Sequence, residues 1–119
     1  MSETNNIVDL LQAGIKAEAF RQKAIANNIA NIETPGYRRF DVKFAELLAN
    51  ALDSSEDIDF SQIEAQIYQP GQTPVKSNGN DVSLEVEVGE MVKNTLRHKT
   101  YIRALAKQYS QMDLAIKAP

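Results

Sequence analysis

The C-terminal third of the chain carries a regular repeat of apolar positions. Alternate steps of four and three residues from Leu84 to Ile116 visit ten positions, of which eight are apolar or aromatic. This spacing is typical of the a/d seam of a helix that packs lengthwise against another helix. The pattern predicts a long helix within residues 81–119, whose seam includes Leu84, Val88, Met91, Ile102, Leu105, Tyr109 and Met112.

The sequence offers two candidates for the N-cap of this helix. Asp81 and Ser83 both have side chains that accept hydrogen bonds from the free N–H groups of a first helical turn. Apolar and polar residues alternate over residues 82–88, so an extended first turn is an alternative. Gly89 lies inside the predicted helix, where a glycine costs about 1 kcal/mol relative to alanine.

The N-terminal third, residues 1–35, carries a weaker version of the same pattern. Six of eight positions at three-four spacing are apolar, with a polar gap at Glu18 and Gln22. Several alanines add helix propensity and a thin profile that lets another helix approach closely. The helix is predicted to stop at Thr34, because a residue before proline disfavours the helical conformation. The seam of this helix includes Leu11, Ile15, Ile25 and Ile29.

The middle of the chain, residues 36–80, contains only short predicted elements. Phe40, Val42 and Phe44 alternate with charged residues, as in a short strand, and a short helix is predicted from Phe44 to Leu52. Residues 53–65 are predicted to be a solvated connector, and residues 66–76 either a short hairpin or an irregular extended arm. The predicted fold is therefore mainly α: two long terminal helices form a coiled-coil-like hairpin, and the middle segment between them is irregular and contains β structure.

Helices of this length are too long for a compact chain of 119 residues. Each would extend roughly 42–50 Å at 1.5 Å per residue, whereas the expected radius of gyration is about 13–14 Å. Pairing the two helices would still leave several large apolar side chains exposed. We infer that other chains complete the core, which favours a structural or assembly role over an enzyme. The apolar side chains expected to stay exposed include Leu10, Phe20, Val92, Leu96 and Leu114.

The composition and charge of the chain argue against several classes of binding partner and functional site. The net charge of −3 argues against a nucleic-acid or anionic-membrane partner, and the acidic residues concentrate in residues 33–83, which hold nine acidic and four basic side chains. The chain has no cysteine, and its single histidine, His98, is expected to be packed rather than catalytic. The acidic cluster at residues 56–59 lacks the spacing of a calcium loop. We therefore predict no catalytic site, metal, cofactor or small-molecule substrate.

The N-terminus lacks the basic and apolar blocks of a secretory signal, and no apolar run is long enough to span a membrane. The sequence therefore predicts either a cytosolic protein or one that is exported without a cleaved signal.

Two segments of the chain resemble the signatures of a known family. Residues 26–37 read Ala-Asn-Asn-Ile-Ala-Asn-Ile-Glu-Thr-Pro-Gly-Tyr, which is similar to the N-terminal signature of the bacterial flagellar axial proteins, the family of rod, hook and hook-associated proteins. Residues 78–85, followed by Met91 and Asn94, resemble the C-terminal signature of the short proximal rod members. Ser83 and His98 depart from that signature, where the family often has an acidic and an aromatic residue.

The resemblance implies a structural function without catalysis. Family members are exported unfolded through the flagellar type III export apparatus and polymerise helically into the rod, the drive shaft of the basal body, which is required for motility. The expected partners are copies of the chain itself, other rod proteins, the MS ring and a rod-adaptor protein, and the expected location is the periplasmic space of a two-membrane organism. Another rod protein, a coiled-coil adaptor and a secretion chaperone remain alternatives.

The resemblance also suggests roles for the motif residues. The asparagines have two interpretations: their amides satisfy nearby backbone groups at a helix end, or they hydrogen-bond between subunits and fix the register. The four residues after Glu33 form at least a helix stop with a turn, and the resemblance implies a contact with a neighbouring subunit in which Tyr37 is an anchor. The candidate interface residues are Asn27, Asn28, Asn31, Thr34, Pro35, Gly36 and Tyr37.

Overall fold

Two long helices dominate the computed structural model, which describes residues 2–53 and 59–118. The elements follow the predicted order, with a mainly α fold and a small strand pair in the middle. Along the chain they are α1 (Ser2–Ala30), β1 (Asp41–Lys43), α2 (Ala45–Asp53), a 3-10 turn (Phe60–Gln62), β2 (Gln66–Tyr68) and α3 (Leu84–Lys117).

Helices α1 and α3 form an antiparallel hairpin. They contain 29 and 34 residues, and the principal dimensions of the molecule are 68 × 30 × 15 Å. The radius of gyration is 18.0 Å, well above the roughly 13–14 Å of a compact chain of this size. The elongated shape predicted from the helix lengths is therefore confirmed.

Small residues let α1 and α3 approach closely. Ala17 and Ala24 are buried, and the ring of Tyr101 lies directly over Gly14. A Cβ atom at Gly14 would lie 2.7 Å from two carbons of that ring. Gly14 therefore has a packing role that outweighs its poor helix propensity.

The contact between α1 and α3 does not run along the predicted seam of α3. The buried residues of α3 are Glu87 and Asn94, each one position before a predicted seam position. The Asn94 amide donates a 2.7 Å hydrogen bond to the Glu18 carbonyl oxygen of α1, so a polar contact sets how the helices face each other. Five predicted seam residues are instead exposed by 41–50%: Leu84, Val88, Met91, Ile102 and Tyr109.

The remaining seam residues are more protected. In α3, Leu105 and Met112 are half-buried, and in α1 Ile25 is buried while Leu11, Ile15 and Ile29 are half-buried.

The middle segment folds back on α1 through a two-stranded antiparallel sheet. Val42 of β1 is paired with Ile67 of β2, and Val42 and Phe44 are buried. The Lys43 ammonium lies 4.5 Å from the centre of the Tyr68 ring. Residues 66–76 thus form neither their own hairpin nor an irregular arm throughout, because their first residues pair with β1.

The predicted connector between α2 and β2 contains a short 3-10 turn. Asp59 caps the 3-10 turn by accepting a hydrogen bond from the Ser61 backbone N–H. Most of the acidic patch at residues 53–57 lies outside the described residues.

The ends of the long helices follow local rules. Helix α1 ends at Ala30, and a series of turns leads to Pro35. Ser83 is the N-cap of α3, which settles the choice between the two candidate caps. Helix α3 begins at Leu84, so the alternative of an extended first turn does not apply.

The two helical glycines provide a matched test of this packing. Gly14→Ala should lower the free energy of unfolding, because the added methyl group collides with Tyr101. Gly89→Ala should raise it by roughly 0.5–1 kcal/mol, because nothing lies near that position and alanine is the better helix former. Urea unfolding of the two variants measures both effects, and stabilisation by Gly14→Ala would contradict the close packing.

Candidate assembly site

The two motif segments meet in one junction at the end of the hairpin where α1 ends and α3 begins. Asn28 is fully buried. Its amide nitrogen donates a 2.9 Å hydrogen bond to the Phe40 carbonyl oxygen, and its amide oxygen accepts one of 2.9 Å from the Phe40 N–H. This side chain therefore pairs with the backbone that leads into β1 much as a neighbouring strand would.

Asn80, in the other motif segment, also uses its side-chain amide to bind the backbone of another part of the chain. It is fully buried, and its amide nitrogen donates hydrogen bonds of 2.8 and 2.9 Å to the carbonyl oxygens of Asn31 and Thr34. These carbonyls lie just beyond the end of α1, where they also accept hydrogen bonds of 3.0 and 3.3 Å from the backbone N–H groups of Thr34 and Tyr37. Its amide oxygen accepts a 2.8 Å bond from the Val82 N–H. Asn80 thus ties the end of α1 to the start of α3.

Two glycines allow the segments to come this close. Gly36 and Gly79 have φ angles of 74° and 83°, a region that residues with a Cβ atom rarely adopt. A Cβ atom on Gly79 would lie 3.4 Å from the Gly36 Cα. The Gly36 N–H donates a 2.9 Å hydrogen bond to the Asn78 carbonyl oxygen, which closes the junction.

Two adjacent arginines, Arg38 and Arg39, form ion pairs with buried carboxylates of α3 and of the segment just before it. The Asp81 carboxylate accepts hydrogen bonds from the Arg39 backbone N–H and, at 3.1 Å, from the Arg38 guanidinium. Arg39 also donates to the fully buried Glu87 at 3.0 Å. Burial opposes the charge on Arg39, but hydrogen bonding to Glu87 and the attraction of Glu87 and Asp41 outweigh it, so the pKa of Arg39 is raised.

Tyr37 links the exposed and buried asparagines of the motif. Its hydroxyl donates a 2.9 Å hydrogen bond to the Asn28 amide oxygen and accepts one of 3.0 Å from the Asn27 amide. Burial, reinforced by the negative charge of Glu87, raises the pKa of Tyr37. The phenol therefore keeps the proton that it donates to Asn28.

A second polar cluster lies halfway along the hairpin. Glu18 of α1 is 2% exposed and accepts hydrogen bonds from the Arg97 guanidinium of α3 and from Arg21 of its own helix. Asn94 adds its bond to the Glu18 backbone. Because these groups satisfy one another only in one alignment, the cluster fixes the register of the two helices.

Sequence reasoning missed most members of these polar clusters. The polar gap at Glu18 was visible, but its partners Asn94 and Arg97 lie almost 80 residues away in the chain. Asn80 was visible only as a member of the second motif segment and Asp81 only as a candidate cap, and no contact was predicted for Glu87. One sequence signal could have found the cluster at Glu18. A polar residue on a helix face that is otherwise rich in small residues marks a buried contact.

One side of the hairpin is covered by the middle segment. Arg21 and Ala24 of α1, Glu90 of α3 and the start of β1 together line a small cleft on that side. The helical period of 3.6 residues places the predicted seam residues on the opposite side.

That opposite side is an uncovered apolar surface. A groove of about 480 Å³ lies between the helices there, with Ile25 and Ile29 on one wall and Met91 and Thr95 on the other. The predicted seams of both helices thus face the same direction. We refer to this surface as the apolar flank; it comprises the half-buried Ile29 and the exposed Leu84, Val88, Met91, Ile102 and Tyr109.

Comparison with known proteins agrees with this architecture. Residues 11–38 match a family described as "Flagella basal body rod protein". The flagellar basal body rod protein FlgB of Cereibacter sphaeroides is 34% identical, over 89% of this chain and 94% of its own length. This chain belongs to the FlgB family. The FlgB proteins of Bacillus subtilis and Escherichia coli K12 are 28% and 27% identical, over 94% and 85% of this chain and 94% and 86% of their own lengths.

Membership of the FlgB family confirms the recognition of the two motif segments. A member of this family is a structural component of the rod in the flagellar basal body, which is what the resemblance implied. Among residues 2–53 and 59–118, no group of three acidic, histidine or cysteine side chains is placed to hold a metal ion. None of the described helices has a stretch apolar and long enough to cross a membrane.

The FlgB motif residues differ in their exposure to solvent. Asn28 contacts groups of its own chain and has no exposed surface, so it follows the interpretation in which amides satisfy nearby backbone groups. Asn31 and Tyr37 are half-buried. The motif residues exposed at the surface are Asn27, Thr34, Pro35 and Gly36.

Asn28→Ala should lower the free energy of unfolding by about 2–4 kcal/mol, because it leaves the N–H and carbonyl of Phe40 without their partner. Asn27→Ala is the matched control: this neighbouring amide is exposed and loses only exposed bonds, to Tyr37 and from Asn31, so its effect should stay below about 1 kcal/mol. Urea unfolding of the two variants makes the comparison. Equal losses of unfolding free energy in the two variants would contradict a structural role for Asn28.

Proposed function

We propose that the chain assembles into the rod by burying the apolar flank against neighbouring subunits. The observation that carries this proposal is the exposure of five large seam residues of α3, beside a groove whose other wall is formed by α1. Contiguous apolar surface of this kind is typical of protein–protein contacts. Its neighbours would be copies of the same chain and other rod proteins, with the terminal helices forming the inner layer of the rod.

The same proposal covers the route and the location of the chain. Membership of the rod family supports export through the flagellar type III apparatus without a cleaved signal, followed by assembly next to the MS ring and a rod-adaptor protein in the periplasmic space. The chain has no cysteine and therefore no disulfide that would prevent unfolding for export. Its function is mechanical and requires no catalysis.

Ile102→Asp should abolish rod assembly and motility while leaving the isolated chain folded. Ile102 is 46% exposed in the single chain, so the monomer tolerates a charge there, but an assembled rod would bury that charge without a partner. Circular dichroism of the purified variant checks the fold, and swimming assays with isolated basal bodies check the assembly. Gln111→Asp, at an exposed position of α3 outside the apolar flank, is the control. Normal motility of Ile102→Asp would exclude the flank from the assembly.

Hydrogen exchange of the isolated chain should show a gradient along the hairpin. Amides from residue 110 to the end of α3 should exchange at least about tenfold faster than those at residues 88–97, because Leu114 and Ile116 are exposed whereas Glu87 and Asn94 are buried. In assembled rods the difference should diminish as subunits cover the helix ends. Full protection of both terminal helices in the monomer would contradict the proposed dependence on neighbours.

A further inference from the structure

Helix α2 is an amphipathic element that makes few contacts with the other described elements. It has no buried residue and, among the described elements, packs extensively on none. Leu52 is 55% exposed and Leu48 half-buried. A helix of nine residues has little stability of its own in water, since most helical stability comes from packing.

The C-terminal end of α2 also needs positive charge. Its last turn contains no basic residue and ends at the carboxylate of Asp53. The carbonyl groups at this end already carry a partial negative charge, which cations stabilise and anions destabilise. A partner for α2 should therefore provide an apolar surface with basic residues beside it.

The side of α3 that faces away from α1 provides this combination. Val92 and Leu96 are 54% and 61% exposed. Lys99, Arg103 and Lys107 follow on the same side, and all three are exposed. We refer to these five residues as the outer face of α3.

The charges of this outer face have no counterpart within the described residues. None of its three basic residues forms an ion pair there. Like charges four residues apart on one helix destabilise it, so the monomer gains nothing from this arrangement. An incoming negative charge would relieve the repulsion.

The two surfaces have matching spacing. Leu48 and Leu52 on α2, like Val92 and Leu96 on α3, are four residues apart, which corresponds to about 6 Å along a helix. If Leu52 lies beside Leu96 and the helices run in the same direction, Asp53 and the carboxyl end of α2 point toward Lys99 and Arg103.

We propose that α2 of one copy docks on the outer face of α3 in the next copy. This contact rests on the proposed function, because it assumes that copies of the chain assemble. It joins different surfaces of the two molecules, and a contact of that kind propagates as an open series rather than a closed dimer. It also lies on a different part of α3 from the apolar flank.

Disulfide cross-linking in isolated basal bodies tests the contact directly. The chain has no cysteine, so Leu52→Cys combined with Leu96→Cys introduces the only two thiols. Oxidation should give dimers and higher multimers of this chain. The control pair, Leu52→Cys with Lys76→Cys, should give at most about one tenth of that yield. Equal yields from the two pairs, or a cross-link to a different rod protein, would overturn the proposal.

Charge reversal tests the electrostatic part of the contact. Lys99→Asp with Arg103→Asp should lower the cross-linking yield about tenfold, and adding Asp53→Lys should restore most of it. Lys23→Glu with Lys76→Glu changes the net charge equally at exposed positions elsewhere and should leave the yield unchanged. Failure of Asp53→Lys to rescue the reversed outer face would count against the docking.

These outcomes are distinguishable from failure of the proposed function. If Ile102→Asp abolishes the rod but rods of the cysteine pair give no cross-link, the docking of α2 is wrong and the role of the apolar flank stands. If Ile102→Asp is motile while the cysteine pair cross-links, the apolar flank is wrong and the docking stands.

Discussion

The fold depends on two buried asparagine side chains that hydrogen-bond to the backbone of distant segments. Asn28 completes the hydrogen bonds of the segment entering β1, and Asn80 satisfies carbonyls beyond the end of α1. Each amide offers both a donor and an acceptor, which no apolar residue of similar size provides. With these bonds in place, the chain leaves α1, crosses the middle segment and enters α3 at a fixed angle.

The sequence allowed much of the architecture to be predicted, because the long helices, β1 and α2 follow local periodicity and turn chemistry. The pairing of β2 with β1 and the polar contact at Glu18 depend on residues far apart in the chain, and local patterns carry no information about them. The apolar repeat of α3 was detected correctly as a pattern. The surface that it faces could not be derived, because a seam has the same spacing whether its partner is α1 or another molecule.

The division between polar and apolar surfaces explains how one chain can be both folded and ready to assemble. The contact between α1 and α3 uses small residues and ion pairs, including Arg97 with Glu18, that specify a single register. Large apolar side chains are thereby left for the apolar flank. A hairpin held together by its most apolar residues would have no such surface to offer, and its assembly would require partial unfolding.

The location of the junction at one end of the hairpin has a mechanical consequence. The described hydrogen bonds between the helices end with the exposed contact of Gln12 with Tyr109, and beyond it α3 continues to Lys117. The helix pair is therefore held rigidly at the junction and is more compliant at its opposite end. In the proposed assembly, small changes in the spacing of these helix ends would let neighbouring copies adjust to curvature without disturbing the junction that sets their orientation.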